Sequence, residues 1–221
     1  MTVTLNSSGI TFQDGSSQST QTHDGTGSDR GTPVSITSFT SSGTYTVPSN
    51  AHTIIVQCIG GGGGSCGYCE SGGAGGFAEG MFSVSPGAQY GVTIGGGGGA
   101  AGYYSGAGNG GTTSFGSLIS ASGGYGANQN YSHGGGHGGS GSGGQINLTG
   151  SSGTGHANHC GHAQNGRGGD GFFGGSPGKT RGQTWGNFSG VVGSGAAGDR
   201  CNDGHHGDNG IAGLVLVYAF A

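Results

Sequence analysis

Thr53-Ile54-Ile55-Val56-Gln57-Cys58-Ile59-Gly60-Gly61-Gly62-Gly63-Gly64 sets an apolar run directly against five glycines. Side chains alternate across a strand, so His52 to Ile59 places Ile54, Val56 and Cys58 on one face and Ile55 and Ile59 on the other. Cys58 falls in that alternation and reads as a small core hydrophobe. Working outward, Thr44-Tyr45-Thr46-Val47 alternates and stops at Pro48. Residues 77–84 and 89–94 flank Ser85-Pro86-Gly87-Ala88. Proline at the second position and glycine at the third fit a type II turn, which predicts a hairpin. Phe115 to Ala121 reads as one further short strand. Ile211 to Phe220 alternates Leu214, Leu216, Tyr218 and Phe220 with Val215 and Val217. Apolar residues on both faces predict a central, buried strand.

Between these strands lie glycine tracts at 60–76, 95–111 and 122–210. No helical periodicity runs through them. An 89-residue structureless loop does not suit a compact domain. Repeated extended segments of polyproline-II type, with three residues per turn, are the better reading. Such segments pack side by side and exchange backbone hydrogen bonds, so the backbone itself forms the core.

Composition narrows the classes. Glycine supplies 62 of 221 residues and hydrophobic residues only 29%, which makes an ordinary core hard to build. Disordered chains are typically charge-rich, yet 6% of this chain is charged and it has four prolines. Collagen needs glycine at every third position, and Gly60 to Gly64 and Gly95 to Gly99 break that register. With a net charge of −4 and five Lys and Arg, the chain cannot track a phosphate backbone. No apolar run approaches a membrane span. Met1 to Ser8 lacks the basic and apolar regions of a signal peptide, so synthesis in a cytoplasm is expected.

Residues 1–35 differ from the rest. They are polar, with brief alternations at Val3-Thr4-Leu5 and Ile10-Thr11-Phe12 and turn signals at Asp14-Gly15 and Asp24-Gly25. The expected organisation is an attachment or oligomerisation segment, 1–35, followed by a glycine-rich domain, 36–221. The expected fold class is all-β with irregular structure: a small β-sandwich-like sheet core, packed polyglycine II-type helices and glycine-rich loops.

Chemistry-bearing residues cluster in the tracts. Cys66 and Cys69 have metal-ligand spacing. His159, Cys160, His162, Cys201, His205 and His206 add further ligands, enough for a structural zinc or iron site. A disulfide among Cys66, Cys69, Cys160 and Cys201, or free thiols, stays open beside it. Asp199, Asp203 and Asp208 match no calcium loop and read as solvated turn residues, as does Asp170. Glu70 and Glu79 are the only glutamates and form no paired-carboxylate signature, so no enzyme activity is expected. Tyr103, Tyr104, Tyr125, Tyr131, Phe172, Phe173, Trp185 and Phe188 sit where no strand needs them. They read either as binding anchors, with Tyr103, Tyr104, Trp185 and Phe188 foremost, or as caps on the glycine layers.

The order of these pieces resembles a family. Gly43-Thr44-Tyr45-Thr46-Val47-Pro48, then residues 53–64, then Gly75-Gly76-Phe77-Ala78-Glu79 and Val84-Ser85-Pro86-Gly87-Ala88-Gln89-Tyr90 follow in sequence. Val92-Thr93-Ile94-Gly95, Gly111-Thr112-Thr113-Ser114-Phe115-Gly116 and Gly210-Ile211-Ala212-Gly213-Leu214-Val215-Leu216-Val217-Tyr218 complete the series over about 43–221. Together they resemble glycine-rich bacteriophage tail-fibre tip and adhesin domains. Gly9-Ile10-Thr11-Phe12-Gln13-Asp14-Gly15-Ser16-Ser17-Gln18 is similar to a segment common in phage fibre proteins.

The resemblance implies a virion protein, made in the host cytoplasm, at the distal end of a tail fibre, and assigns the glycine-rich domain, 36–221, the role of a receptor-binding domain. Its partners would be a host receptor, lipopolysaccharide or an outer-membrane protein, and another fibre or baseplate protein. It also implies polyglycine II helices with specificity loops at one end. The chain departs from the family in being short and in its many His and Cys. Isolated apolar points in 1–35, with the trimeric habit of phage fibres, lead to the expectation of a homotrimer. The alternative is a glycine-rich structural or ice-binding protein of polyproline-II type, which calls for a flat face of short residues and a strict three-residue glycine repeat.

Overall fold

The computed structural model describes residues 4–6, 9–11, 17–18, 32–67, 70–102, 105–128, 135–155, 166–176, 190–198 and 207–221. The chain divides into two units, Met1–Thr32 and Pro33–Ala221. In the first, β1 (Thr4–Asn6) pairs antiparallel with β2 (Gly9–Thr11), and β2 with β3 (Ser17–Gln18). β1 and β2 overlap the two alternations of the N-terminal segment, and β3 lies beyond them.

In the second unit, two five-stranded antiparallel sheets face each other. Its strands are β4 (Ser35–Phe39), β5 (Gly43–Thr46), β6 (Thr53–Ile59), β7 (Phe77–Ser83), β8 (Gln89–Thr93), β9 (Thr113–Phe115), β10 (Ile119–Ala121), β11 (Gly141–Ser142), β12 (Ile146–Leu148) and β13 (Leu214–Phe220). One sheet runs β12-β7-β6-β13-β4 and the other β11-β10-β9-β8-β5. Among the described residues there is no helix.

Period-two alternation builds the core between the sheets. Ile54, Val56 and Cys58 of β6 point inward beside Val215, Val217 and Ala219 of β13, and all six are fully buried. The facing sheet contributes Tyr45, Val92, Phe115, Ile119 and Ala121. Phe115 lies at the centre, with its ring 5.0 Å from Tyr90 and 5.6 Å from Tyr45. Each large side chain buried here is worth about 1.5–3 kcal/mol. Burial pushes the Cys58 thiol up to about 12, which leaves it an inert apolar filler. The C-terminal strand is interior, between β6 and β4. Its second face, Leu214, Leu216, Tyr218 and Phe220, is only half-buried.

Three readings of the sequence change. The turn at Ser85 forms, with Ala88 N–H donating to Ser85 O at 3.1 Å and Gly87 at φ 76°. It does not close a hairpin: β7 and β8 belong to opposite sheets. The neighbouring crossing explains this. Val47 N–H donates to Ala88 O, Gly87 N–H to Val47 O and Val84 N–H to His52 O, so the turn's backbone groups are satisfied by the β5–β6 connection. Residues 115–121 form two strands rather than one, reversed at Gly116, whose φ of 52° suits glycine. The tract 122–210 also holds two short strands, β11 at the edge of one sheet and β12 at the edge of the other, that its composition conceals.

Glycine segments belonging to neither sheet continue from the strand ends and form a block held by backbone hydrogen bonds. Residues 60–66 run through its middle. The N–H groups of Gly60, Gly63 and Cys66 donate to Gly76, Gly73 and Glu70; those of Gly61 and Gly64 to Gly111 and Gly108; those of Gly62 and Ser65 to Ile211 and Asp208. Every third residue thus addresses the same neighbour, at 2.8–3.2 Å. Their carbonyls accept in the same rhythm: Gly61 and Gly64 from Gly124 and Ala127, Gly62 and Ser65 from Gly98 and Ala101, Gly63 from Ala196. Six other segments therefore surround this one. Residues 71–76 repeat the pattern, with Ser71 and Ala74 donating to Thr154 and Ser151, Gly72 and Gly75 to Ala196 and Gly193, and Gly73 and Gly76 to Tyr125 and Ser122.

Side chains are excluded by this proximity. A methyl group on Gly62 would run into the backbone of Ser194, and one on Gly63 into that of Tyr125. Where small side chains do enter, they serve the network. Ser65 Oγ donates to Ala197 O at 2.8 Å and accepts from Asp208 N–H at 2.7 Å.

Candidate recognition end of the glycine block

The hydrogen bonds give the block two unlike ends. At one, Gly60, Gly76, Gly95, Gly111, Ser122, Ser140 and Gly213 lead directly into the strands. At the other, Cys66 N–H bonds Glu70 O, Ala101 N–H bonds Ser65 O and Ala127 N–H bonds Gly64 O. Ser71 N–H bonds Thr154 O, Thr154 N–H bonds Arg167 O and Gly207 N–H bonds Ala101 O. Gly198 N–H reaches Ser71 Oγ at 2.9 Å. The described residues flanking 68–69, 103–104, 129–134, 156–165 and 199–206 therefore gather at this second end.

Most site candidates fall in those five stretches. Cys69, Tyr103, Tyr104, His159, Cys160, His162, Cys201, His205 and His206 lie outside the described residues, as do Trp185 and Phe188. The flanks of 177–189, which carries Trp185 and Phe188, depart elsewhere. Ser176 Oγ bonds Gly195 O at 3.0 Å, and Gly193 abuts Ile59 and Gly60 near the sandwich.

Cys66 is fully buried among Ala101, Ala127 and Ala107. Its Sγ lies 3.9 Å from Glu70 Oε2. Burial raises the Glu70 carboxyl above its ordinary range, and the Cys66 contact opposes this. Among the described residues no three His, Cys, Asp or Glu side chains come together. Asp170 pairs with Arg167 at 3.0 Å and accepts from Ser176 N–H at 2.7 Å, so it braces its own turn.

A groove of about 500 Å3 opens beside this end, lined by Tyr125, Asn109, Asn128, His137 and glycine backbone. Tyr125 is 56% exposed, while its N–H donates to His137 O at 2.8 Å and its carbonyl accepts from Gly73 N–H at 2.9 Å. The ring therefore projects from an immobilised backbone and loses little entropy on contact. Asn128 follows three residues later, the spacing that returns to the same side. Asn109 Oδ1 accepts from Gly126 N–H at 2.9 Å. Asn109 and Asn128 escaped the sequence reading; lone amides inside a glycine tract were the available signal. An aromatic face with amides and an imidazole can stack on a ligand ring and hydrogen-bond its hydroxyls.

Phe172 behaves as a cap: its ring stacks on Phe77 at 3.6 Å and 6°. Phe173 meets Phe172 edge-on at 5.3 Å and stays 48% exposed.

Residues 37–215, from β4 into β13, match the Glycine-rich domain family. The chain belongs to that family. No curated protein matches it. The family match spans both the sandwich strands and the hydrogen-bonded block of this Glycine-rich domain. Among its described residues, no helix is long and apolar enough to cross a membrane.

Proposed function

We propose that this Glycine-rich domain protein is a virion attachment protein, the distal component of a bacteriophage tail fibre, that binds a host-surface receptor. The observation carrying this reading is the unlike pair of ends. A block braced by backbone hydrogen bonds joins the sandwich at one end and gathers at the other the described residues flanking 68–69, 103–104, 129–134, 156–165 and 199–206. Rigid elements that present exposed stretches suit recognition, because the stretches can change without refolding their support. We take the period-three hydrogen bonding as the mark of polyglycine II-type helices. Lipopolysaccharide or an outer-membrane protein is the receptor class. The unit Met1–Thr32 joins another fibre or baseplate protein, and the virion carries the chain as a homotrimer.

Tyr103 and Tyr104, whose described flanks lie at the block end, are proposed contact residues, together with the Tyr125 groove. Trp185 and Phe188 form a second contact region. Adsorption of the purified protein to host cells tests this. Tyr103→Ala with Tyr104→Ala and Tyr125→Ala should fold and lose at least tenfold in cell binding. Full binding by a folded triple variant would move the contact surface to Trp185 and Phe188, or off the domain.

One observation favours ice binding instead. The outer face of the β11-β10-β9-β8-β5 sheet carries Thr44, Thr46, Thr93, Ser114, Ser120 and Ser142, all short and hydroxylated. Thermal hysteresis in the parent that Thr44→Tyr and Thr93→Tyr abolish would favour it. The strict three-residue glycine repeat that it requires is absent.

A further inference from the structure

The two outward faces of the sandwich differ in a way the fold does not require. Outside β11-β10-β9-β8-β5, the registers Thr44↔Gly91, Thr46↔Gln89, Thr93↔Ser114, Ser114↔Ser120 and Ser120↔Ser142 align only small or polar residues. Outside β12-β7-β6-β13-β4, the same reading gives hydrocarbon. Ile36↔Tyr218, Tyr218↔Ile55 and Ile55↔Met81 make one continuous row across four strands. Leu216, Gln57, Glu79 and Ile146 make the next, with Phe220 above and Leu148 below.

Ile36 is 61% exposed, Met81 57%, Ile146 45% and Leu148 44%. Among the described residues, the chain covers one corner of this face itself, where Phe172 stacks on Phe77. A hollow of about 570 Å3 lies between Ile55, Met81, Gln145 and Ile146. Among the described residues, the only charged side chain on the face is Glu79, and Gln57 Nε2 donates to it at 2.5 Å. An antiparallel sheet with one buried face ordinarily shows water the polar half of its alternation. Contiguous exposed apolar surface beyond a few hundred Å2 marks an interaction site.

We infer that the outer face of the β12-β7-β6-β13-β4 sheet is buried against another copy of this chain. The four most exposed side chains and the half-buried Ile55, Leu214, Leu216, Tyr218 and Phe220 together expose several hundred Å2. That approaches the roughly 800 Å2 per partner of a standard interface. Contacts between like chains are the more apolar class, and this face is apolar and nearly uncharged. No row of charges is present to select a different partner, whereas a second copy meets hydrocarbon with hydrocarbon. This inference stands apart from the receptor reading, because it uses none of the block-end residues.

Sedimentation of the full chain over a range of concentrations tests it. The parent should sediment as more than one chain. Ile36→Lys with Met81→Lys should weaken association at least tenfold while keeping the parent's circular dichroism. Thr46→Lys with Ser120→Lys, on the opposite face, should leave association unchanged. A parent that stays monomeric at every concentration would overturn the inference and assign the covering to the chain's own residues or to a foreign protein. A lysine variant that associates as tightly as the parent would overturn it as well.

Discussion

At Phe115 the sandwich excludes water with a ring pressed between Tyr45 and Tyr90; at Gly62 the block excludes it with nothing beyond the main chain. In the first region side chains carry the burial and hydrogen bonds run strand to strand. In the second the hydrogen bonds of 60–66 run to six neighbouring segments, and a side chain at Gly62 or Gly63 has no room. The comparison teaches that glycine here is a packing residue. Its conformational entropy cost is offset by a backbone partner for every N–H from 60 to 66.

Substitutions should separate the two regions. The largest effect is expected at Gly62→Val, whose branched side chain would meet the Ser194 backbone; about 3 kcal/mol or more should be lost, read as loss of soluble folded protein. Gly96 and Gly99, whose added methyls meet nothing within 4 Å, are the counter-case. Gly96→Ala should be neutral or stabilise by up to about 1 kcal/mol in denaturant unfolding. Equal damage at Gly62 and Gly96 would erase the distinction.

Ile54→Ala should cost about 2–5 kcal/mol through an unfilled cavity in the sandwich. Amide exchange should then report whether the regions unfold together. Protons of 60–66 should be as slow as those of β6, and fast exchange confined to the block would make it a separate, weaker unit.

Glu70 gives a smaller, pH-dependent effect. Its folded-state pKa is raised by burial, so the native state favours the protonated form. That contribution is present below the ordinary carboxylate pKa and is lost as pH rises through the folded value. Glu70→Gln should therefore melt higher than the parent at neutral pH, with the gap closing in acid. A gap that widens in acid would mean the carboxylate is stabilised instead. The smallest effect is expected at Tyr45→Phe. The Tyr45 hydroxyl is buried and, although it faces Ser35, neither oxygen reaches hydrogen-bonding geometry. Removing it should leave stability unchanged or raise it by about 1 kcal/mol, measured by thermal unfolding.

Much of the sandwich was legible residue by residue. Ile54, Val56 and Cys58 announced the inner face of β6, and Leu214 to Phe220 announced an interior strand, because period-two alternation is written locally. The Ser85 turn was legible too, from Pro86 and Gly87. Its role was not, since whether a turn joins partners in one sheet or crosses to another depends on Val47 and His52, distant in sequence. Near the candidate site, the exposed Tyr125 was visible as an aromatic in a glycine tract. Its neighbours Asn109 and His137 were not, because nothing in either local sequence names the other segment.

The sequence by itself supplied the reason for order in the glycine tracts, since a chain with few charges and prolines needs backbone partners to be soluble, and the described residues of those tracts have such partners. It also marked the runs that become β5, β6, β7, β8 and β13, though not β4, β11 or β12. Only the tertiary structure decided which six segments surround 60–66 and which ends of the tracts come together. The physical reason is that a glycine segment offers identical N–H and C=O groups along its length. Its neighbours are chosen by where the strands of the sandwich deliver each segment, and no side-chain code records that choice.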